Sequence, residues 1–166
     1  MEETGSENIQ ISKLNNFIDF NFNEFIKDSK NFYSIKSNSD IFYLENCDDD
    51  ILNLFNHFFE IFNNHYAPVY VVNVLKQYFK DNNLNPVDIF HKLINLPCNS
   101  FFTSLIGYFG QFGIGTDVNY QLAISSYIHA SKSSIQNTSS CDVLLCNLVR
   151  NNRFIGQISL AYSYFG

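Results

Sequence analysis

The sequence contains no tryptophan, one methionine and three prolines among its 166 residues. It also lacks an uninterrupted apolar run of about 18 residues, the length that a helix needs to cross a membrane. Its richest apolar run, residues 69–75, is interrupted by Asn73. The first residues are acidic, whereas a secretory signal peptide places basic residues before an apolar run. These absences predict no membrane association and a cytoplasmic location, with the nucleus not excluded.

Basic residues are also scarce, with 10 Lys and Arg against 16 Asp and Glu and a net charge of −6. Nucleic-acid-binding proteins usually present a basic face, so the composition argues against a nucleic-acid partner. Twelve of the acidic residues lie within residues 1–60. Residues 1–12 are polar and acidic without an apolar period, and we predict that they form a disordered acidic leader.

The four cysteines and four histidines do not have the spacing of a metal site. Cys141 and Cys146 are five positions apart, and no second close pair accompanies them. We therefore expect no metal and no cofactor. In a cytoplasmic or nuclear protein we expect all four cysteines to be reduced thiols.

Apolar residues recur at helical spacing through most of the chain, and hairpin-turn signals are absent. Residues 13–98 are predicted to form an N-terminal helical connector or capping region. Its first part, residues 13–32, fits a helix or a strand. Acidic residues 48–50 precede a helical stripe that ends at Asn63-Asn64. Pro68 is expected to begin a second helix. Three β-branched valines in this segment lower its helix propensity, so a strand is the alternative. Asn85-Pro86 begins a third helix, and Asn99 is expected to cap a fourth that runs to about Phe112.

Residues 101–131 contain the most informative pattern of the sequence. Gly113 and Gly115 flank Ile114 and allow a tight turn with positive φ directly after a helix. Asn119 can cap the following helix, in which small and aromatic residues recur at spacings of three and four. We therefore predict a helix, a glycine turn and a second helix packed antiparallel.

This pattern resembles the Sel-one-like repeat, a helical-hairpin unit of solenoid proteins that is related to the tetratricopeptide repeat. Residues 99–132 are assigned to one such unit. Two departures are Gly110, where the family has Tyr, and Leu122, where it often has Lys. The residues that match the family's structural positions are Ile106, Gly107, Gly113, Gly115, Asn119, Tyr120, Ala123, Tyr127 and Ala130.

Residues 133–166 are predicted to hold an atypical insert and a partial second repeat. In this partial repeat, Leu160-Ala161 would occupy the position of the family's Leu-Gly pair, and Tyr164 would occupy the position of its Tyr. The insert either forms a short helix from Ser140 or is a tail altered by a splicing or frame difference. The resemblance implies an all-α fold of antiparallel helical hairpins, stacked as a short right-handed α-α solenoid.

The resemblance implies a non-catalytic scaffold that binds a protein or peptide partner. Tyr108, Phe109 and Phe112 are the candidate residues of a partner-binding groove. The alternative function is a regulatory or oligomerising remnant of a fungal kinase–repeat fusion protein. No Gly-rich ATP loop, His-Arg-Asp or Asp-Phe-Gly motif is present, and no catalytic residues are predicted. The unfinished last unit could also expose an apolar face around Leu160 that pairs with another copy.

Overall fold

The structure is a computed structural model that describes residues 47–64, 67–134 and 143–165. All of these residues belong to one compact unit, Tyr33–Gly166. The predicted acidic leader and the ambiguous helix of residues 13–32 lie outside the described residues. Among the described helices, none is long and apolar enough to cross a membrane.

Every regular element of the described residues is a helix, which confirms the all-α prediction. The described residues form six α-helices and one 3-10 helix. In order they are α1 (Asp49–Asn64), α2 (Pro68–Asp81), α3 (Pro86–Asn95), a 3-10 helix (Asn99–Phe102), α4 (Thr103–Phe112), α5 (Tyr120–Lys132) and α6 (Val143–Phe165).

The first three helices begin at the caps that the sequence indicates. At α1 the Asp48 carboxylate accepts a hydrogen bond from the backbone N–H of Asp50 at 3.0 Å. At α3 the Asn85 side chain accepts one from the N–H of Val87, also at 3.0 Å. Pro68 begins α2, where its missing N–H leaves no bond unmade. The helix prevails there over the strand because Val71, Leu75 and Phe79 recur every four residues and are all buried.

The start of α4 differs from the prediction. Asn99 does not cap this helix: its side chain donates to the carbonyl of Ile94, and a 3-10 turn precedes α4. The cap comes from another helix instead. Asn152 of α6 is completely buried, and its Oδ1 accepts the backbone N–H of Ser104 at 2.8 Å. A local sequence signal could not reveal this contact because 48 positions separate the two residues.

The Asn152 side chain joins three parts of the fold. Its amide nitrogen donates to the Ser100 carbonyl and the Thr103 hydroxyl, both at 3.2 Å. The same nitrogen lies 3.4 Å from the hydroxyl of Ser133, directly after α5. Both ends of one amide are therefore satisfied inside the protein, where an unpaired polar group would be costly.

Residues Val143–Phe165 form one continuous helix of 23 residues, and Gly156 lies in its middle. The proposed cap at Ser140 lies outside the described residues. The cysteine prediction also needs correction. Cys47 and Cys98 are free thiols as expected, but Cys146 is disulfide-bonded.

The turn between α4 and α5 has the predicted geometry. Gly113 adopts φ 64° at the end of α4, and Gly115 adopts φ 68°. Ile114 between them is buried, and its N–H donates to the carbonyl of Phe109 at 2.9 Å. A Cβ on Gly115 would collide with the backbone of Pro86. Glycine is therefore required both by the conformation and by the close approach of α3.

Replacing Asn152 by Ala should lower the free energy of unfolding by about 1–3 kcal/mol, because the buried N–H of Ser104 loses its acceptor. Urea denaturation followed by circular dichroism measures this change. Asn151→Ala, at the half-buried neighbouring position, is the control and should cost less than about 0.5 kcal/mol. Equal costs for the two variants would contradict the capping role.

Lys92 and Asp48 form an ion pair of 2.8 Å that should make stability depend on pH. The hydrogen bond from Lys92 lowers the pKa of Asp48 below its usual value of 3.8. The contribution is therefore present above pH 3.8 and is lost as the pH falls through the pKa of the folded state. Lys92→Met should lower the melting temperature slightly at neutral pH, and the difference from wild type should shrink below about pH 4.

Lys80→Met, which removes an exposed lysine from α2, is the control for the general loss of positive charge. The difference in melting temperature between Lys80→Met and wild type should not shrink in the same way below about pH 4. A difference between Lys92→Met and wild type that persists unchanged in acid would count against the contribution of this ion pair.

Candidate partner-binding surface

The aromatic residues predicted to bind a partner do not form an exposed groove. Tyr108 is 3% exposed and Phe109 is 0% exposed. The Tyr108 hydroxyl donates to the carbonyl of Pro68 at 3.1 Å, and its ring centroid lies 4.9 Å from that of Phe58. The partner-binding prediction is therefore wrong for these two residues, because the preceding helices cover the face of α4 that carries them.

The third predicted residue, Phe112, is half-buried at the end of α4. Its ring centroid lies 4.6 Å from that of Tyr108, so it extends the same internal aromatic cluster. Burial also raises the pKa of Tyr108 above its usual value, as expected for a phenol kept neutral in the core. Phe112 is therefore only partly exposed to solvent.

The residues assigned to the repeat pattern bring α4 and α5 into close contact. A Cβ on Gly107 would lie 2.7 Å from the ring of Tyr127 and 3.1 Å from the carbonyl of Ala123. Tyr127 is fully buried, and its hydroxyl donates to Oε1 of Gln111 at 2.7 Å. The glycine on α4 therefore leaves the space that the aromatic ring on α5 fills.

The two departures from the family pattern contact each other. A Cβ on Gly110 would lie 3.3 Å from a terminal carbon of Leu122 and 3.3 Å from the carbonyl of Asn119. The carbonyl of Gly110 accepts the N–H of Asn119 at 2.7 Å. A tyrosine at position 110 would have no room, because Leu122 and the returning chain occupy that place.

The remaining assigned residues have different surroundings. Asn119 caps α5 by accepting the N–H of Leu122 at 2.9 Å, and Tyr120 is 63% exposed. Ile106 and Ala130 are buried. On α6, Leu160 is half-buried and Tyr164 is 45% exposed.

Gly156 has a role that the sequence analysis missed. A Cβ on Gly156 would lie 2.6 Å from the side chain of Ala130 and 2.8 Å from the backbone nitrogen of Ser131. Gly156 therefore brings α6 against α5 in the way that Gly107 brings α4 against it. The Ile155-Gly156 pair, both buried, was the available signal, since it repeats the apolar-glycine pair of Ile106-Gly107.

One exposed concave feature of the described residues is a cleft of about 480 Å³ between the end of α2 and the start of α3. We call it the α2–α3 cleft. The buried ring of Phe79 and the half-buried Leu84 and Pro86 supply apolar surface. The complete lining is Lys76, Phe79, Lys80, Asn83, Leu84, Asn85 and Pro86.

The charge in the α2–α3 cleft has one sign. Lys76 and Lys80 are exposed, lie four residues apart on the same face of α2, and have no acidic residue beside them in the lining. The nearby Asp81 carboxylate accepts a hydrogen bond from Gln77 at 2.6 Å instead. Sequence reasoning did not identify this cleft, because its shape depends on how α3 returns after Asn83.

The described residues bring together no metal-binding group of three or more His, Cys, Asp and Glu side chains. The His57 ring stacks on Tyr78 with a centroid separation of 4.6 Å. Glu60 contributes its backbone carbonyl to the side chain of Asn64. The pKa values of Tyr108 and Tyr127 are raised chiefly because both side chains are buried in the core.

Alanine at two glycines of α4 should have different consequences. Gly107→Ala should destabilise the protein by about 1–3 kcal/mol, because the fully buried Tyr127 ring cannot move away. Gly110→Ala should be nearly neutral: its methyl lies 3.3 Å from both the end of Leu122 and the carbonyl of Asn119, and alanine's advantage of about 1 kcal/mol in helix propensity offsets this crowding. Thermal unfolding of both variants tests this pair, and an equal loss at both positions would contradict it.

No family model, curated protein or solved structure matches this chain. The features that bear on function are therefore the α2–α3 cleft, the packing of α4 to α6 and the resemblance of the glycine-turn hairpin to the Sel-one-like repeat.

Proposed function

We propose that this chain is a non-catalytic protein–protein interaction scaffold that binds an acidic peptide segment in the α2–α3 cleft. The observation that carries the proposal is the combination of an apolar floor with Lys76 and Lys80 and no acidic lining residue. A carboxylate of the partner would meet the lysines, and an apolar side chain beside it would cover Phe79 and Leu84. The cleft needs no cofactor for this role.

The polar groups of the cleft suit an extended peptide. Asn83 and Asn85 line the turn between the helices. Asn83 adopts a positive φ of 52° and is exposed. Asparagine amides offer a donor and an acceptor, which can pair with the backbone of a bound segment. Apolar anchoring with a few polar contacts is the usual pattern of a ligand cleft.

We further propose that α4, α5 and α6 belong to a short right-handed solenoid of the Sel-one-like type. Support comes from the contact of Gly107 with Ala123 and Tyr127 and from the contact between the two departures, Gly110 and Leu122. The contact at Gly156 favours Ile155-Gly156, rather than Leu160-Ala161, as the start of the second partial unit.

The exposed side of α6 resembles the polar outer face that closes a helical array. Four of its exposed residues through the middle turns are polar: Asn147, Arg150, Arg153 and Gln157. Exposed apolar side chains lie at the two ends of α6: Val143 and Leu144 in the first turn, at 74% and 52% exposure, and Tyr162 and Tyr164 in the last, at 47% and 45%. This face gives little support to the second candidate function, an oligomerising or regulatory remnant of a kinase–repeat protein, which therefore ranks below a scaffold.

Binding of labelled synthetic peptides tests the proposed function directly. The probes are a fluorescein-labelled peptide that alternates Asp with Leu and a matched peptide that alternates Lys with Leu. Fluorescence anisotropy should show binding of the acidic probe only, with an affinity that falls as salt rises. Lys76→Glu/Lys80→Glu should weaken binding by roughly tenfold or more, since two attractions become repulsions.

Arg150→Glu/Arg153→Glu is the matched control, because it reverses two charges on α6 outside the cleft. It should retain the affinity of the wild-type chain for the acidic probe. Equal weakening by both double variants, or equal binding of the acidic and basic probes, would contradict recognition by the cleft.

A further inference from the structure

Two thiols from distant parts of the chain meet in the core. Cys47 immediately precedes the cap of α1, and Cys98 immediately precedes the 3-10 helix. Their sulfur atoms are 3.6 Å apart although 51 positions separate the residues. Cys47 is 9% exposed and Cys98 is 3% exposed. A disulfide has a sulfur–sulfur distance of about 2.05 Å, so a combined movement of roughly 1.5 Å would join them.

We propose that Cys47 and Cys98 are a redox modification site, at which a hydroperoxide converts the dithiol into a reversible disulfide. This site is independent of the proposed peptide binding, because it requires no ligand in the α2–α3 cleft. Its effect would be to tie the start of α1 to the junction between α3 and α4.

An external ion pair holds the same two segments in register. Asp48 follows Cys47, Lys92 lies in the last turn of α3, and their side chains are 2.8 Å apart. The helical cap at Asp48 further restricts the chain beside Cys47. Two thiols presented by restrained segments lose less conformational freedom on bonding than two on free loops.

The hydrogen bond between the thiols makes them chemically unequal. The pKa of Cys98 is lowered, first by its hydrogen bond with the Cys47 side chain. The pKa of Cys47 is raised, first by the same hydrogen bond and then by burial. This asymmetry favours Cys98 as the attacking thiolate. The separation of 3.6 Å places Cys47 where it can act as the resolving thiol.

The reaction balances with one hydroperoxide, for which hydrogen peroxide is the smallest example. The Cys98 thiolate attacks one peroxide oxygen, the O–O bond breaks, and the departing hydroxide takes up a proton to become water. The resulting sulfenic acid is attacked by the sulfur of Cys47, and a second water leaves with the Cys47 proton. Overall, two thiols are oxidised to one disulfide while one peroxide is reduced to two waters. A dithiol reductant reverses the change by thiol–disulfide exchange and is itself oxidised to a disulfide.

The disulfide would close a loop that contains α1, α2 and α3. Closing a loop of this length restricts the unfolded chain, and the melting temperature should rise by roughly 5–15 °C. Both thiols are buried, so a small oxidant has better access than a bulky one. The site therefore fits a response to peroxide rather than to a protein disulfide.

Peptide mapping of the full chain tests the proposal. The chain is reduced, freed of reductant, treated with stoichiometric hydrogen peroxide, alkylated and digested with trypsin. Cys47 lies in the tryptic segment 37–76 and Cys98 in the segment 93–132, whereas Cys141 and Cys146 share the segment 133–150. We expect a disulfide-linked product of the first two segments that disappears on reduction, together with the higher melting temperature.

The Cys47→Ser/Cys98→Ser variant should lose both the linked product and the change in melting temperature. The matched Cys141→Ser/Cys146→Ser variant should keep both. Free alkylated Cys47 and Cys98 after peroxide treatment of the wild-type chain would overturn the proposal, and this result does not depend on how any variant folds. A linked product with no change in melting temperature would overturn the proposed tie between the two segments.

Discussion

The close approach of α5 to its two neighbours is the constraint on which the C-terminal half of the fold depends. Gly107 on α4 and Gly156 on α6 have no side chain where the helices meet α5. Asn152 lies one helical turn before Gly156 and binds the start of α4. Since residues four apart share a helix face, one face of α6 supplies both the contact with α5 and the cap of α4. A buried amide with directional bonds fixes the register that apolar packing alone leaves loose.

The pairing of Gly110 with Leu122 shows how a pattern can change while its packing is kept. Each residue taken alone counts against the repeat assignment. Together they fill one space, because the leucine carbons lie where a larger side chain at position 110 would lie. The assignment to the Sel-one-like type remains a proposal, but its two weakest positions are explained by one contact.

Local signals predicted the elements of this chain well, and distant contacts explain the failures. Asp48, Asn85 and Asn119 cap helices as expected, because a cap depends on residues two or three positions away. The burial of Tyr108 and the capping by Asn152 depend on partners about 40 or more positions away. The cleft was missed for the same reason, since its shape follows from the path between two helices. Gly156 lies within α6 although glycine lowers helix propensity, because its missing side chain allows close packing against Ala130.

Pro86 connects two features that are otherwise separate in the fold. It lines the α2–α3 cleft, and its backbone lies against Gly115 in the glycine turn. The backbone amide of Gly115 is therefore a natural spectroscopic reporter, one layer of atoms behind the surface on which a ligand would rest. Glycine amides often stand apart from the crowded helical region of a nitrogen–proton correlation spectrum. The chemical shift of the Gly115 amide can therefore report ligand binding in the α2–α3 cleft without an added label, although Gly115 itself does not line the cleft.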